Sequence, residues 1–90
     1  MLIALIAIDK PGALELRKAN RDAHVAYLKE SGVVEQAGPF LSNEGEMCGS
    51  LIILDVEDME AAQAFAAGDP YGKAGLFERV ELRAWNRVIG

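Results

Sequence analysis

A chain of 90 residues, 51% of them hydrophobic, can fold as one domain over positions 1–90, but with a thin core that a partner subunit would thicken. Its net charge of −5 argues against binding nucleic acid, because domains that hold a phosphate backbone present a basic surface. The single cysteine, Cys48, excludes an intrachain disulfide and fits a reducing compartment, the cytoplasm.

Leu2 to Ile8 is an unbroken apolar run that meets Asp9 and Lys10 at once and has no basic leader. It is too short to span a bilayer, so it predicts a strand buried on both faces, and no membrane association is expected. Pro11-Gly12 breaks the chain, and Ala13 to Glu30 is rich in helix formers, with Leu16, Ala19, Ala23 and Tyr27 on one face. Ser31-Gly32 stops that helix. Val33 to Leu41 reads as a short strand interrupted by Gly38-Pro39, and since proline lacks a donor for a central ladder, this is an edge. After the turn Asn43-Glu44-Gly45-Glu46, the segment Met47 to Val56 carries Leu51-Ile52-Ile53-Leu54, again apolar on both faces. Asp58 can cap a second helix whose Met59, Ala62, Phe65 and Ala66 share a face, with Gly68 ending it in a left-handed conformation. The last strand, Leu76 to Val88, alternates: Val80, Leu82 and Ala84 point one way, and Arg79, Glu81, Arg83 and Trp85 the other.

Strand, helix, strand, strand, helix, strand is the split βαβ order of an α+β, ferredoxin-like domain, an antiparallel βαββαβ sheet with two helices on one face. Right-handed crossovers put the first and third strands in the middle, and these are the two runs that are apolar on both faces. Two helices cover only one of those faces. The other is expected to be hidden by a second copy, giving a homodimer with sheets face to face.

His24 is the only histidine. On a helical wheel it sits beside the apolar stripe, with Asn20 and Arg17 on the preceding turns, Leu28 on the next, and Arg21 farther toward solvent. An imidazole takes and returns protons near neutral pH, and a fixed carboxylate sets its tautomer and stabilises its charged form. Asp69 is the candidate carboxylate, because the residue before Pro70 is held extended and its side chain is aimed reproducibly. Each has a bland reading too. His24 can simply pack against the sheet and bond a carbonyl, and Asp69 can cap a single helical turn that has proline at its first position.

The pieces Arg21-x-x-His24-x-x-Tyr27-Leu28, Gly32, Ala37-Gly38-Pro39, Gly49-Ser50, Asp69-Pro70-Tyr71, Ala74-Gly75-Leu76-Phe77 and Trp85 occur in an order and spacing that resemble the YciI-like (YCII-related) family over nearly the whole chain. That resemblance implies a dimeric α+β barrel of ferredoxin-like protomers and a His-Asp pair in a cleft, here His24 and Asp69. The family includes a dehydrochlorinase acting on a chlorinated aromatic, and the fold resembles that of muconolactone isomerases and antibiotic-synthesis monooxygenases. Most members have no assigned reaction.

These readings converge on a cofactor-independent enzyme, lyase or isomerase in type. Its His24–Asp69 pair would move a proton on a small organic acid, phenol or lactone. Arg21 is a candidate for a substrate carboxylate or phenolate, although a solvated helix arginine paired with Glu or Asp is the plain alternative. Gly38, Pro39 and Ser50 would let backbone approach the ligand, with the Ser50 hydroxyl as donor, or would form only a bend and a bulge. Tyr71 and Trp85 would wall an aromatic pocket, or bury their rings against the core or a partner. One histidine and one cysteine cannot supply a usual zinc site, so no metal is expected. Gly72-Lys73 has no phosphate-loop context and no glycine fingerprint follows the first strand, so no nucleotide cofactor is expected. A Cys48 thiol nucleophile is disfavoured beside its reading as a small apolar strand residue. The second class of function is a noncatalytic dimer that binds a small ligand or another protein through the same cleft.

Overall fold

A computed structural model describes all residues from Met1 to Gly90. The opening apolar run forms β1 (Leu2–Asp9), and the helix-forming stretch after Pro11-Gly12 forms α1 (Leu14–Ser31). There follow β2 (Val34–Leu41), β3 (Met47–Asp55), α2 (Met59–Gly68), the single helical turn α3 (Pro70–Lys73) and β4 (Phe77–Ala84). The strands make one antiparallel sheet in the order β2-β3-β1-β4, so β1 and β3 are central and the ferredoxin-like α+β architecture is as expected. No helix is long and apolar enough to cross a membrane.

Alternation along the central strands divides the sheet into two faces. Ile3, Leu5 and Ala7 of β1, with Ile52 and Leu54 of β3, pack against Leu28 of α1 and Ala62 and Phe65 of α2 to make the core. Ala4, Ile6, Leu51 and Ile53 point to the opposite face, where Gln36, Arg83 and Trp85 rim a shallow apolar depression and no helix covers them. Leu51 remains 37% exposed there.

Four local expectations change. β2 runs unbroken through Gly38-Pro39, with Pro39 opposite Ser50, because an edge strand needs no donor on its outer side. β4 ends at Ala84 rather than Val88; the Trp85 amide still donates to the Leu2 carbonyl, 3.0 Å, and the chain then leaves the sheet. Gly32 does close α1 in the left-handed region, at φ 72, but Gly68 is not left-handed. Its lack of a side chain has a different cause: a Cβ there would collide with the Tyr27 hydroxyl. Finally, α1 is rotated about its axis relative to the apolar-stripe reading. Arg17, His24 and Leu28 are its buried residues, while Leu16, Ala19 and Ala23 face outward.

Candidate active site

The inward stripe of α1 lies over β3 and the edge strand β2, and its polar members are matched one by one. Asp58 caps α2, its side chain accepting from the Ala61 amide at 2.8 Å. At the other end of α2 the Tyr27 hydroxyl donates to the Phe65 carbonyl, 2.8 Å, and rests on Gly68, which brings that end close against α1. The next residue, Asp69, is extended (φ −65, ψ 126), as the residue before proline must be. Its Oδ1 caps α3 by accepting from the Tyr71 amide at 2.9 Å. The same Oδ1 lies 2.8 Å from His24 Nδ1. An ionised carboxylate can only accept, so Nδ1 is the donor of this bond, and in the neutral ring Nε2 then keeps its lone pair. Asp69 therefore fills both roles foreseen for it, cap and histidine partner. The pair is nearly sealed, with His24 6% and Asp69 1% exposed, and Asp69 Oδ2 is buried without any hydrogen-bond partner.

Tyr71, brought inward by α3, stacks on the His24 ring at 3.8 Å between centroids and 15° between planes. Its edge meets Phe77, and the Arg17 guanidinium sits 4.5 Å from its ring centroid. Arg17 itself is buried. It donates from Nε to Asp9 Oδ2 at 2.7 Å and from Nη2 to Asp9 Oδ1 at 3.0 Å, a two-pronged pair, and Nη2 also donates to Ser50 Oγ at 2.8 Å. Burial opposes the Arg17 charge, but the Asp9 carboxylate outweighs it and raises the pKa further above its ordinary value. Burial raises the Tyr71 phenol, with the Arg17 and Arg21 charges pulling the other way, and burial also raises Tyr27, assisted by the Asp69 charge. Both phenols stay protonated at neutral pH.

A cleft of about 140 Å³ opens between α1 and the β2–β3 edge. His24, Arg21, Gly38, Pro39, Ser50 and Tyr71 all line it, joined by Arg17, Val25, Leu28, Ala37, Met47 and Ile52. Asp69 is not among the residues that line the cleft; it lies behind His24, to which it is bonded. Arg21 lines the cleft and is exposed to solvent, with no carboxylate within ion-pairing distance. Trp85 lies elsewhere: it is 41% exposed beside the uncovered sheet face, next to Ala4, Ile53 and Arg83, and does not wall this cleft. Cys48 lines a separate hollow near Pro11 and Ser42, half-buried, its thiol directed to the Phe40 carbonyl at 3.6 Å. The residues that sequence reasoning passed over are Asp9 and Arg17. The available signal was a carboxylate closing an apolar strand and a cation seven residues before His24, on the same helical stripe.

Comparison with known proteins agrees with this fold. The model of the YCII-related domain matches residues 1–86. "Protein YciI" of Escherichia coli O6:H1 (strain CFT073) is 36% identical over 98 aligned positions, which cover 99% of this chain and all of that protein. Among solved structures, 5-chloro-2-hydroxyhydroquinone dehydrochlorinase from Burkholderia phenoliruptrix AC1100, in complex with 2,5-dihydroxybenzoquinone, superposes with a TM-score of 0.87 at 33% identity, covering 96% of this chain and 94% of that one. An antibiotic biosynthesis monooxygenase superposes with a TM-score of 0.61 at 12% identity over 99% and 100% of the two chains, a likeness of fold alone. These neighbours share the ferredoxin-like protomer of the dimeric α+β barrel class. With its domain matched almost end to end and its relatives aligned over their full length, the chain belongs to the YCII-related family.

Proposed function

We propose that the cleft is a proton-transfer site of a cofactor-independent lyase or isomerase, with His24 as base and acid and Asp69 as its orienting carboxylate. The observation that carries this reading is the 2.8 Å bond from His24 Nδ1 to a buried Asp69, on a ring that lines the cleft. With Nδ1 committed, Nε2 is the nitrogen left to accept a proton from a bound molecule. The charge gained by the imidazole is then stabilised by Asp69 at short range in a poorly solvated setting.

The substrate is a small organic acid, phenol or lactone. Arg21 offers an unpaired cation at the cleft, and the dehydrochlorinase similar to this chain acts on a chlorinated hydroxyhydroquinone. Removing a proton from such a ring and expelling chloride is a lyase step, and returning the proton to another position is an isomerase step. The test is to incubate the protein with 5-chloro-2-hydroxyhydroquinone and with muconolactones, following chloride release and ultraviolet spectra, with His24 NMR shifts as the binding readout. Turnover that falls about 10²-fold or more in His24→Ala and Asp69→Asn, with circular dichroism unchanged, is the expected result. If the parent neither binds nor turns over any of these and both variants unfold, the pair is a structural hydrogen bond.

We also propose that the uncovered sheet face is closed by a second copy, giving a homodimer. On the face that no helix of the chain covers, Leu51 is 37% exposed and Ile6 half-buried, with buried Ala4 and Ile53 as the floor of the same apolar depression. Sedimentation at micromolar concentration should give a dimer for the parent and a monomer for Leu51→Arg. A monomeric parent would refute it.

A further inference from the structure

Asp9, Arg17 and Ser50 form a buried chain of hydrogen bonds that ends at the cleft, and proton transfer by His24 alone gives them no task. We infer that the Ser50 hydroxyl is the hydrogen-bond donor for the oxygen anion formed when His24 removes a proton, and that Arg17 is its positioning residue. The inference rests on the proton-transfer reading and adds a second catalytic group to it.

The argument starts from the capacity of a hydroxyl, which has one proton to give and two lone pairs to receive. Ser50 Oγ receives from Arg17 Nη2 at 2.8 Å, and no group of the chain receives its proton in return. Pro39, which faces Ser50 across β2 and β3, has no polar side-chain atom to take it. Ser50 lines the cleft, where a bound molecule can take that proton. A guanidinium donating to Oγ draws electron density from the O–H bond and strengthens it as a donor. Asp9 holds that guanidinium by both prongs, so its direction is fixed before any ligand arrives. Preorganised donors of this kind act where charge develops in the transition state.

The step balances as follows. His24 Nε2 takes the proton as the C–H bond breaks, the freed pair forms a C=C bond, and the carbonyl pair moves onto oxygen, which Ser50 O–H then meets. A cleft of about 140 Å³ is close to the size of a cavity that holds one benzene ring, so the ligand class is a single enolisable or phenolic ring.

The test compares 4-nitrophenolate with 4-nitroanisole, its neutral methyl ether, binding to the intact protein and measured by absorbance and calorimetry. The parent should favour the anion by about tenfold to a hundredfold, the range of a hydrogen bond to a charged group. Ser50→Ala should lose a measurable part of that preference, Arg21 supplying the rest, while holding the anisole as before. Arg17→Lys, which keeps a charge but cannot bridge Asp9 and Ser50, should lose part of it; should that variant not fold, Ser50→Ala decides. An unchanged preference in Ser50→Ala, equal loss for both probes, or no anion preference in the parent would each overturn the inference. A parent that shows the Ser50-dependent preference but turns nothing over would count against the proton-transfer reading alone and leave the donor in place.

Discussion

Tyr71 lies flat on His24, ring centroids 3.8 Å apart, and this stack holds the imidazole plane in the one orientation that Asp69 can bond. Tyr71→Leu should destabilise the chain by about 2–4 kcal/mol through lost packing of a buried ring. In the same variant the His24 ring protons should lose their ring-current shifts, while Tyr71→Phe keeps them. Chemical denaturation and proton NMR check both.

Asp69 Oδ1 meets the Tyr71 amide and His24 Nδ1 alike, so in Asp69→Asn a single atom must still serve both. With the amide oxygen there both bonds survive, but the negative charge that favours the Nδ1–H tautomer is gone, and the Nε2–H tautomer should gain population at the expense of the base in the cleft. Nitrogen-15 shifts of the two ring nitrogens should move toward each other. Shifts identical to the parent's would show that Asp69 does not set the tautomer.

Arg17 and Asp9 are both buried, so deleting one strands the other. Asp9→Ala should cost about 3–5 kcal/mol, whereas Asp9→Leu combined with Arg17→Met should recover most of that loss. Urea denaturation of the two variants measures it. The double variant should fold and yet lack the oriented Ser50 hydroxyl.

Gly68→Ala should destabilise by about 1–3 kcal/mol although its backbone conformation is ordinary, because the new methyl meets the Tyr27 hydroxyl. Adding Tyr27→Phe removes the worst of that contact and should restore part of the loss, at the expense of the bond to the Phe65 carbonyl. A thermal double-variant cycle reads the coupling. Strict additivity would sink the explanation.

Tyr27 and Tyr71 are the only tyrosines, and burial is the first cause of the upward shift in both. The folded chain therefore holds these protons more tightly than the unfolded chain does. Above the ordinary tyrosine value near 10 the unfolded state ionises first, so stability falls as pH rises through and beyond that value. Absorbance titration should show phenolate appearing later than in a denatured sample, together with loss of structure. Two tyrosines titrating at the ordinary value in folded protein would contradict it.

Much of this molecule is legible from residue order. The two runs apolar on both faces could only be central strands, and Asp58, Gly32 and Asp69-Pro70 mark helix ends through local backbone chemistry that needs no tertiary partner. The pairing of His24 with Asp69 follows once the helices share a face of the sheet. Trp85 could be placed by the same alternation: it shares a strand face with Arg79, Glu81 and Arg83, and the helices cover the other one.

Local pattern alone could not give the rotation of α1 about its own axis. A helical wheel sends charge to solvent and alanine inward, because a lone charge is costly to bury. Arg17 is buried all the same, since Asp9 and Ser50, from two different strands, meet it with three hydrogen bonds. The residues of this chain determine a ferredoxin-like fold and name a histidine and an aspartate able to meet. Only packing in three dimensions decided that Arg17 and His24 face the sheet, because compensation for a buried charge comes from distance in space, which spacing along the chain does not carry.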